Sequence, residues 1–335
     1  MYTNIGSDNK YIQNTYKSSY NEITQIISNF NKINMKEIEP TIQSINEIIY
    51  EEDLSHIVDE LIGITFKDLN RGNEENVRKQ HILDYINYNK IIFQEIYNWL
   101  LNHQNNSNSI YLLGYFNYNG IEININIQKA FELYQKASDL KNIVAQLDFA
   151  NMCIHEMGNE NNHNEAFKLS KTLAEKNNPN AVNKLGYCYD HGIGTSIDKE
   201  KAFELYQKAA DLGNLRGMNN LGRCYENGSG TEINMQKAFE LYEKSADSGN
   251  SYALNNLGCC YDSGIGTFIN KQKAFELFLM AANLGNDIAQ YNIALMYEKG
   301  EGIEKDLNKA IYWYGKSAAQ GDPDAQSKLC KLLEE

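Results

Sequence analysis

The sequence predicts an all-α fold: an α-α superhelical solenoid of helix pairs behind an N-terminal helical segment. Three observations predict it. The phrase Lys-Ala-Phe-Glu-Leu-Tyr at 129–134 returns at 201–206 and 237–242, and as Lys-Ala-Phe-Glu-Leu-Phe at 273–278. Two small-residue columns run in unbroken steps of 36, one through Ala130, Ala166, Ala202, Ala238, Ala274 and Ala310, the other through Ala145, Ala181, Gly217, Ala253, Ala289 and Ala325. The 335 residues include only 3 prolines, so little interrupts a helix. A fixed period of this length marks an array whose units bury their apolar faces against one another.

Residues 1–20 are polar and are expected to be disordered. From 21 to 108 the pattern is helical without the clear repeat. Ile23, Ile26, Ile27, Phe30 and Ile33 form one stripe, Ile42, Ile45, Ile48 and Ile49 a second, and Leu54 to Leu69 a third that ends at Arg71-Gly72. Val77, Ile82 and Ile86, then Ile92, Ile96 and Leu100, suggest one more helix pair. Gln94-Glu95-Ile96-Tyr97 echoes Phe131-Glu132-Leu133-Tyr134, so 73–108 is expected to be a degenerate capping repeat.

Residues 109–335 hold six repeats of 36 residues and a closing helix, and the unit at 178–213 shows how each is built. Asn178 is an N-cap and Pro179 suits the first helical turn. Ala181, Leu185 and Tyr189 form an i, i+4, i+8 stripe on that first helix. Gly192-Ile193-Gly194 stops it, Asp198 caps the second helix, and Gly213 ends that. Asp322-Pro323 repeats the opening device in front of the closing helix. Gly114, Gly186, Gly222 and Gly258, with Ala150 and Ala294 in the same column, mark a tight crossing within each pair. Tyr189, Tyr225, Tyr261 and Tyr297 are placed to fill the space between repeats.

The run Leu257-Gly258 to Tyr261, Gly264-Ile265-Gly266, Lys273-Ala274, Ala281-Ala282 and Gly285-Asn286 resembles the Sel1-like repeat, a relative of the tetratricopeptide repeat. The resemblance covers about residues 109–333. The copy at 145–180 departs most, with Phe149-Ala150 for Leu-Gly and one glycine lost at Glu156-Met157-Gly158. The Asn- and Ile-rich character is similar to an expanded fungal group of Sel1-repeat proteins, some of which carry a kinase domain. No Val-Ala-Ile-Lys, His-Arg-Asp or Asp-Phe-Gly motif occurs here.

A net charge of −13 argues against nucleic acid or an anionic membrane surface as the main partner. The start lacks the apolar run of a signal peptide, and no stretch reaches the roughly 18 apolar residues of a membrane span, so a cytoplasmic location is expected. The recurrent Gly-x-Gly (Gly192/Gly194 through Gly300/Gly302) sits between helices and reads as a turn, not a phosphate loop. Cys188, Cys224 and Cys260 stand one repeat apart, too far for a disulfide, and read as small buried apolar residues. None of the six histidines stands beside a plausible nucleophile or second ligand, and no metal or cofactor is expected. Catalysis has no support in the sequence.

Two polar columns remain. By the resemblance, the first helices line a concave groove, and Asn183, Asn219 and Asn255 are expected to project into it as a ladder for an extended backbone. Asp190, Glu226, Asp262 and Glu298 end the same helices, where acids oppose the helix dipole at about 0.3–1 kcal/mol each, and could meet basic ligand side chains. The expected function is a non-catalytic scaffold or adaptor that binds a protein or peptide, basic segments among them, in the groove. The alternative is a regulatory subunit or activator of an enzyme, in kinase-associated signalling or cell-wall synthesis, as the resemblance allows.

Overall fold

The computed structural model describes residues 39–155 and 160–334. The expected disorder of residues 1–20 and the stripe at Ile23–Ile33 fall outside the described residues. The chain divides into two compact units, Met1–Ser55 and His56–Glu335, and the second holds the repeats. Among the described residues there are 16 helices and no strand.

Helix α1 (Glu39–Arg71) carries both the second and the third isoleucine-leucine stripes, which therefore share one helix. Helices α2 (Glu75–Tyr88) and α3 (Phe93–Asn102) lie within 73–108, and α3 packs on α4. The repeats follow as α4/α5 (Ser107–Asn119, Ile127–Asp139), α6/α7 (Ile143–His155, Glu160–Glu175), α8/α9 (Pro179–His191, Lys199–Asp211), α10/α11 (Leu215–Asn227, Met235–Ala246), α12/α13 (Ser251–Ser263, Lys271–Asn283) and α14/α15 (Asp287–Lys299, Leu307–Ala319). Helix α16 (Pro323–Glu334) closes the stack against α15. From α4 onward each helix packs on the one before and the one after. First helices of successive repeats also touch, α6 with α8 and α8 with α10, so they crowd on the inner side of the curve.

The capping signals act as their residue types require. Asn178 accepts from the Ala181 amide at 2.9 Å, Asp198 from Lys201 at 2.9 Å and Asp322 from Ala325 at 3.1 Å. Gly192, Gly228, Gly264 and Gly300 end the first helices in the left-handed region. The second glycine of each Gly-x-Gly has another task. A Cβ on Gly230 would lie 2.1 Å from the Lys199 carbonyl oxygen, and one on Gly266 2.5 Å from that of Met235. This loop is thus seated on the backbone of the preceding repeat's second helix, and the turn is a joint between repeats.

The alanine columns form the seam: Ala130, Ala166, Ala202, Ala238, Ala274 and Ala310 are all buried, as are Ala181, Ala253, Ala289 and Ala325. The tight crossing is glycine against a ring, because a Cβ on Gly222 would sit 2.6 Å from the Tyr242 side chain and one on Gly258 2.7 Å from Phe278. Between repeats, Phe203–Tyr225, Phe239–Tyr261 and Phe275–Tyr297 meet edge-on at 5.4–5.5 Å. The lysine of Lys-Ala lies over two of these tyrosines, Lys237 4.9 Å from the Tyr225 ring centre and Lys309 5.2 Å from that of Tyr297, and Lys201 lies likewise 4.4 Å from Tyr189.

Candidate functional site

The inner face is built from the first helices, and the asparagine column lies within it. Asn183, Asn219 and Asn255 are only 7%, 7% and 5% exposed. Each accepts a hydrogen bond from an asparagine of the next repeat: Asn220 to Asn183 at 3.0 Å, Asn256 to Asn219 at 2.9 Å and Asn292 to Asn255 at 2.9 Å. The column expected to project openly is a buried clamp between repeats. Its carbonyls are already engaged, and only the edges of Asn183 and Asn219 reach a cavity.

The acid column is also bonded within the chain. Glu226 accepts from the Tyr242 hydroxyl and Glu298 from that of Tyr314, both at 2.6 Å, while Tyr206 reaches Asp190 at 3.5 Å. These tyrosines are buried by the crossing described above, and a buried hydroxyl needs a partner. Where Phe278 replaces tyrosine, Asp262 pairs with Lys271 at 2.7 Å, and Asp190 pairs with Lys199 at 2.7 Å. Burial alone would raise the Glu298 carboxyl, but Lys328 and Tyr314 outweigh it and hold the group below its usual range. The acids therefore have a packing reason for opposing the helix dipole.

A segment of the chain itself runs along the inner face. The N-cap asparagines of the first helices use Oδ1 for the cap and present Nδ2 inward. Asn178 donates to Asn70 Oδ1 at 2.8 Å and Asn214 to the Asn70 carbonyl at 3.0 Å, while Asn180, inside α8, donates to the Leu69 carbonyl at 2.7 Å. Glu74 then takes the Ser251 amide at 2.7 Å and its hydroxyl at 2.6 Å, and Asn76 donates to the Leu284 carbonyl. One turn on, Arg78 pairs with buried Asp148 at 3.1 Å, which also accepts from Tyr111 at 2.8 Å. Desolvation opposes the Arg78 charge, yet Asp148 and the neighbouring tyrosines raise its pKa overall. Residues 69–76 thus step across the repeats from 178 to 284, and Arg78 reaches back to Asp148. Asn214→Asp keeps the cap oxygen but sets a carboxylate against the Asn70 carbonyl. It should cost about 1–3 kcal/mol in chemical denaturation and speed amide exchange near Asn70; unchanged values would show that the segment is held otherwise.

Beside this segment lies a cavity of about 280 Å³ between α6, α8, α10 and the start of α12. His155, Lys184, Arg216 and Arg223 line it, together with Asn151, Asn250 and Tyr252, and no acid does. Lys184 is buried and donates to Asn151 at 2.6 Å. Burial, then Arg216, pulls its amine down to about 7. Burial, with Lys184 and Arg216 adding to it, takes the His155 imidazole down to about 4, so it is neutral at pH 7. Burial likewise lowers Arg216, against the pull of Glu74. Lys184, Arg216 and Arg223 stand in no repeated column, which is why the sequence reading missed them.

Among the described residues no group of acids, histidines and cysteines is arranged to hold a metal. Cys153, Cys188, Cys224 and Cys260 are buried thiols, and burial raises them to between about 11 and about 12. No helix among the described residues is long and apolar enough to cross a membrane.

The Sel1 repeat family matches at 107–142, 179–214, 215–250, 251–286 and 287–322, more than half of the chain. The chain belongs to the Sel1 repeat family. The helix pair that carries no Sel1 match, α6/α7, is the copy with the divergent loop, and it still packs in the stack. A Sel1 repeat protein from Oxalobacter formigenes is 29% identical with a TM-score of 0.57, over 70% of this chain and 96% of that one. The protective antigen c5321 of uropathogenic Escherichia coli, which has the same type of fold, is 26% identical with a TM-score of 0.50 over 71% of this chain. The chain spans about half, 51%, of the length of that antigen. Among curated proteins none is significantly similar. Sel1 repeat proteins are typically non-catalytic scaffolds for protein–protein interaction.

Proposed function

We propose that this Sel1 repeat protein is a non-catalytic interaction module that holds an extended segment of another protein against its inner face. The observation that supports the reading is the docking of residues 69–76 there: the side-chain amides of Asn180 and of the N-cap Asn214 donate to the carbonyls of Leu69 and Asn70 at the end of α1, so first helices offer amide donors to backbone carbonyls laid on this face. The asparagine column stiffens that face from beneath. The acid column is committed to tyrosines and lysines, and the open cavity is lined by cations, so the favoured partner segment is acidic rather than basic.

Photo-crosslinking tests the face. Benzoylphenylalanine at Tyr187, in the cavity wall, should capture one partner in stoichiometric yield, whereas the same group at Phe268, 91% exposed in an inter-helix loop, should not. Equal capture of that partner from both positions, or capture from Phe268 alone, would reject the inner face as the binding surface.

A further inference from the structure

The cavity on the inner face holds cationic charge that the fold leaves unbalanced. Lys184 makes one hydrogen bond, to the neutral oxygen of Asn151. The Arg216 guanidinium makes no hydrogen bond among the described residues, and its Nε is enclosed without a partner. Neither side chain is in an ion pair there, although the chain as a whole carries −13. Lys184 is 6% exposed and Arg216 part-buried, and holding such cations away from water without an ion-pair partner is unfavourable. The equivalent residues one repeat later are Asn220 and Tyr252.

The asparagine caps supply a second, independent sign. The Nδ2 groups of Asn178 and Asn214 are used by the docked segment, and that of Asn286 donates to Ser251 at 3.2 Å. Asn250 is 2% exposed, lines the cavity, and its Nδ2 has no partner. One rung of the ladder is therefore buried, oriented by its capping bond to Ala253, and unfilled. Its neighbour Ser251 shows which chemistry this stretch accepts, because its amide and hydroxyl hold the two oxygens of Glu74.

We propose that Lys184, Arg216 and Asn250 form a carboxylate-binding site that takes an aspartate or glutamate side chain, or a terminal carboxylate, of the partner segment. The proposal rests on the inner-face reading above and adds the identity of the group that anchors the partner there. A single carboxylate suits the charge balance. Glu74 already lies close enough to favour the Arg216 cation, which leaves the Lys184 ammonium as the main charge to be matched. It would accept from Lys184 and from Arg216 as a charge-assisted pair and take the Asn250 amide as third donor. The groups that face Lys184 are Arg216 and Arg78, which disfavour its charge, and Asp148 and Cys188, which favour it. A bound carboxylate adds to the second set, so binding at pH 8 draws a proton onto the lysine.

The test uses the full chain and three fluorescein-labelled hexapeptides read by fluorescence anisotropy. The first is Ala-Ala-Glu-Glu-Ala-Ala with an amidated C-terminus, the second its Gln-Gln counterpart, and the third the Gln-Gln peptide with a free carboxyl end. The expected result is at least tenfold tighter binding of the first or third than of the second. Calorimetry in two buffers of different ionisation heat should show proton uptake on binding at pH 8. The Lys184→Met/Arg216→Gln double variant should lose the preference while keeping its helicity. If the third peptide binds better than the first, the anchor is a chain terminus; the reverse order assigns it to a side chain. Equal binding of the first and second peptides by the native chain, with crosslinking still confined to Tyr187, overturns the carboxylate site and leaves the inner-face reading standing. A preference that survives in the double variant, absence of binding at millimolar peptide, or displacement of the first peptide by inorganic phosphate more strongly than by acetate also overturns it. Failure of both the peptides and the crosslink removes both readings.

Discussion

Lys184→Met should make the protein more stable below pH 7. The native amine titrates at about 7 against 10.5 for an ordinary lysine, and at about 1.4 kcal/mol per pKa unit that shift sets an upper limit of about 5 kcal/mol on the penalty. The sign follows from proton binding. Between about 7 and 10.5 the unfolded chain holds a proton that the folded chain has shed, so native stability rises with pH across that window. Below about 7 both states are protonated and the whole penalty is present. Methionine has a similar shape and no charge, and its cost is the hydrogen bond to Asn151, about 1 kcal/mol. Urea denaturation at pH 6 and pH 10 checks this: the variant should be the more stable at pH 6 and equal or slightly weaker at pH 10. A variant weaker at both would mean that Lys184 stabilises the fold through a partner. A residue whose removal stabilises the fold is retained for something other than stability.

Gly230→Ala should be among the most damaging substitutions of one methyl group in the array. The backbone there has φ +69, which costs an alanine roughly 1–2 kcal/mol. The new methyl would also sit 2.1 Å from the Lys199 carbonyl, a rigid backbone atom at the start of α9, so the repeats must part. A total loss of about 3 kcal/mol is expected, on the scale of overpacking plus backbone strain. Gly213→Ala is the control, since its φ is +82 but its Cβ meets nothing within 4 Å. It should lose only the backbone component, about 1 kcal/mol. Thermal melts of the two variants that coincide would show that the joint yields without cost.

The features written in every repeat were legible in the sequence. Asn178, Asp198 and Asp322 cap the helices where the spacing placed them, the alanine columns form the seam, and the tyrosines from Tyr189 to Tyr297 lie between repeats. The orientation of Asn183, Asn219 and Asn255 was not legible. Their partners are 37 residues away, one position out of register with the period, and no column marks that bond. The docking of residues 69–78 could not be read either, because it joins a non-repeated segment to caps over 100 residues on. The cation-lined cavity did leave a trace. Down one column the residues are Asp148, Lys184, Asn220, Asn256 and Asn292. The repeated asparagines build the clamp, whereas Asp148, Lys184 and, in the closing helix, Lys328 carry charge. In an array of copies, departures from a column are where a single site can be specified.

The strap from Leu69 to Asn76 also bears on the order of events in folding. An unadorned array can add or shed units from either end. Here the strap is made first in the chain, and the groups it meets lie 108, 111, 144, 177 and 208 residues later. Its docking must wait until the repeat at 251–286 has been synthesised and folded, so ring closure is a late and slow step of high contact order. Once closed, it ties repeats between 178 and 284 to one segment, whereas α14 to α16 lie beyond these contacts.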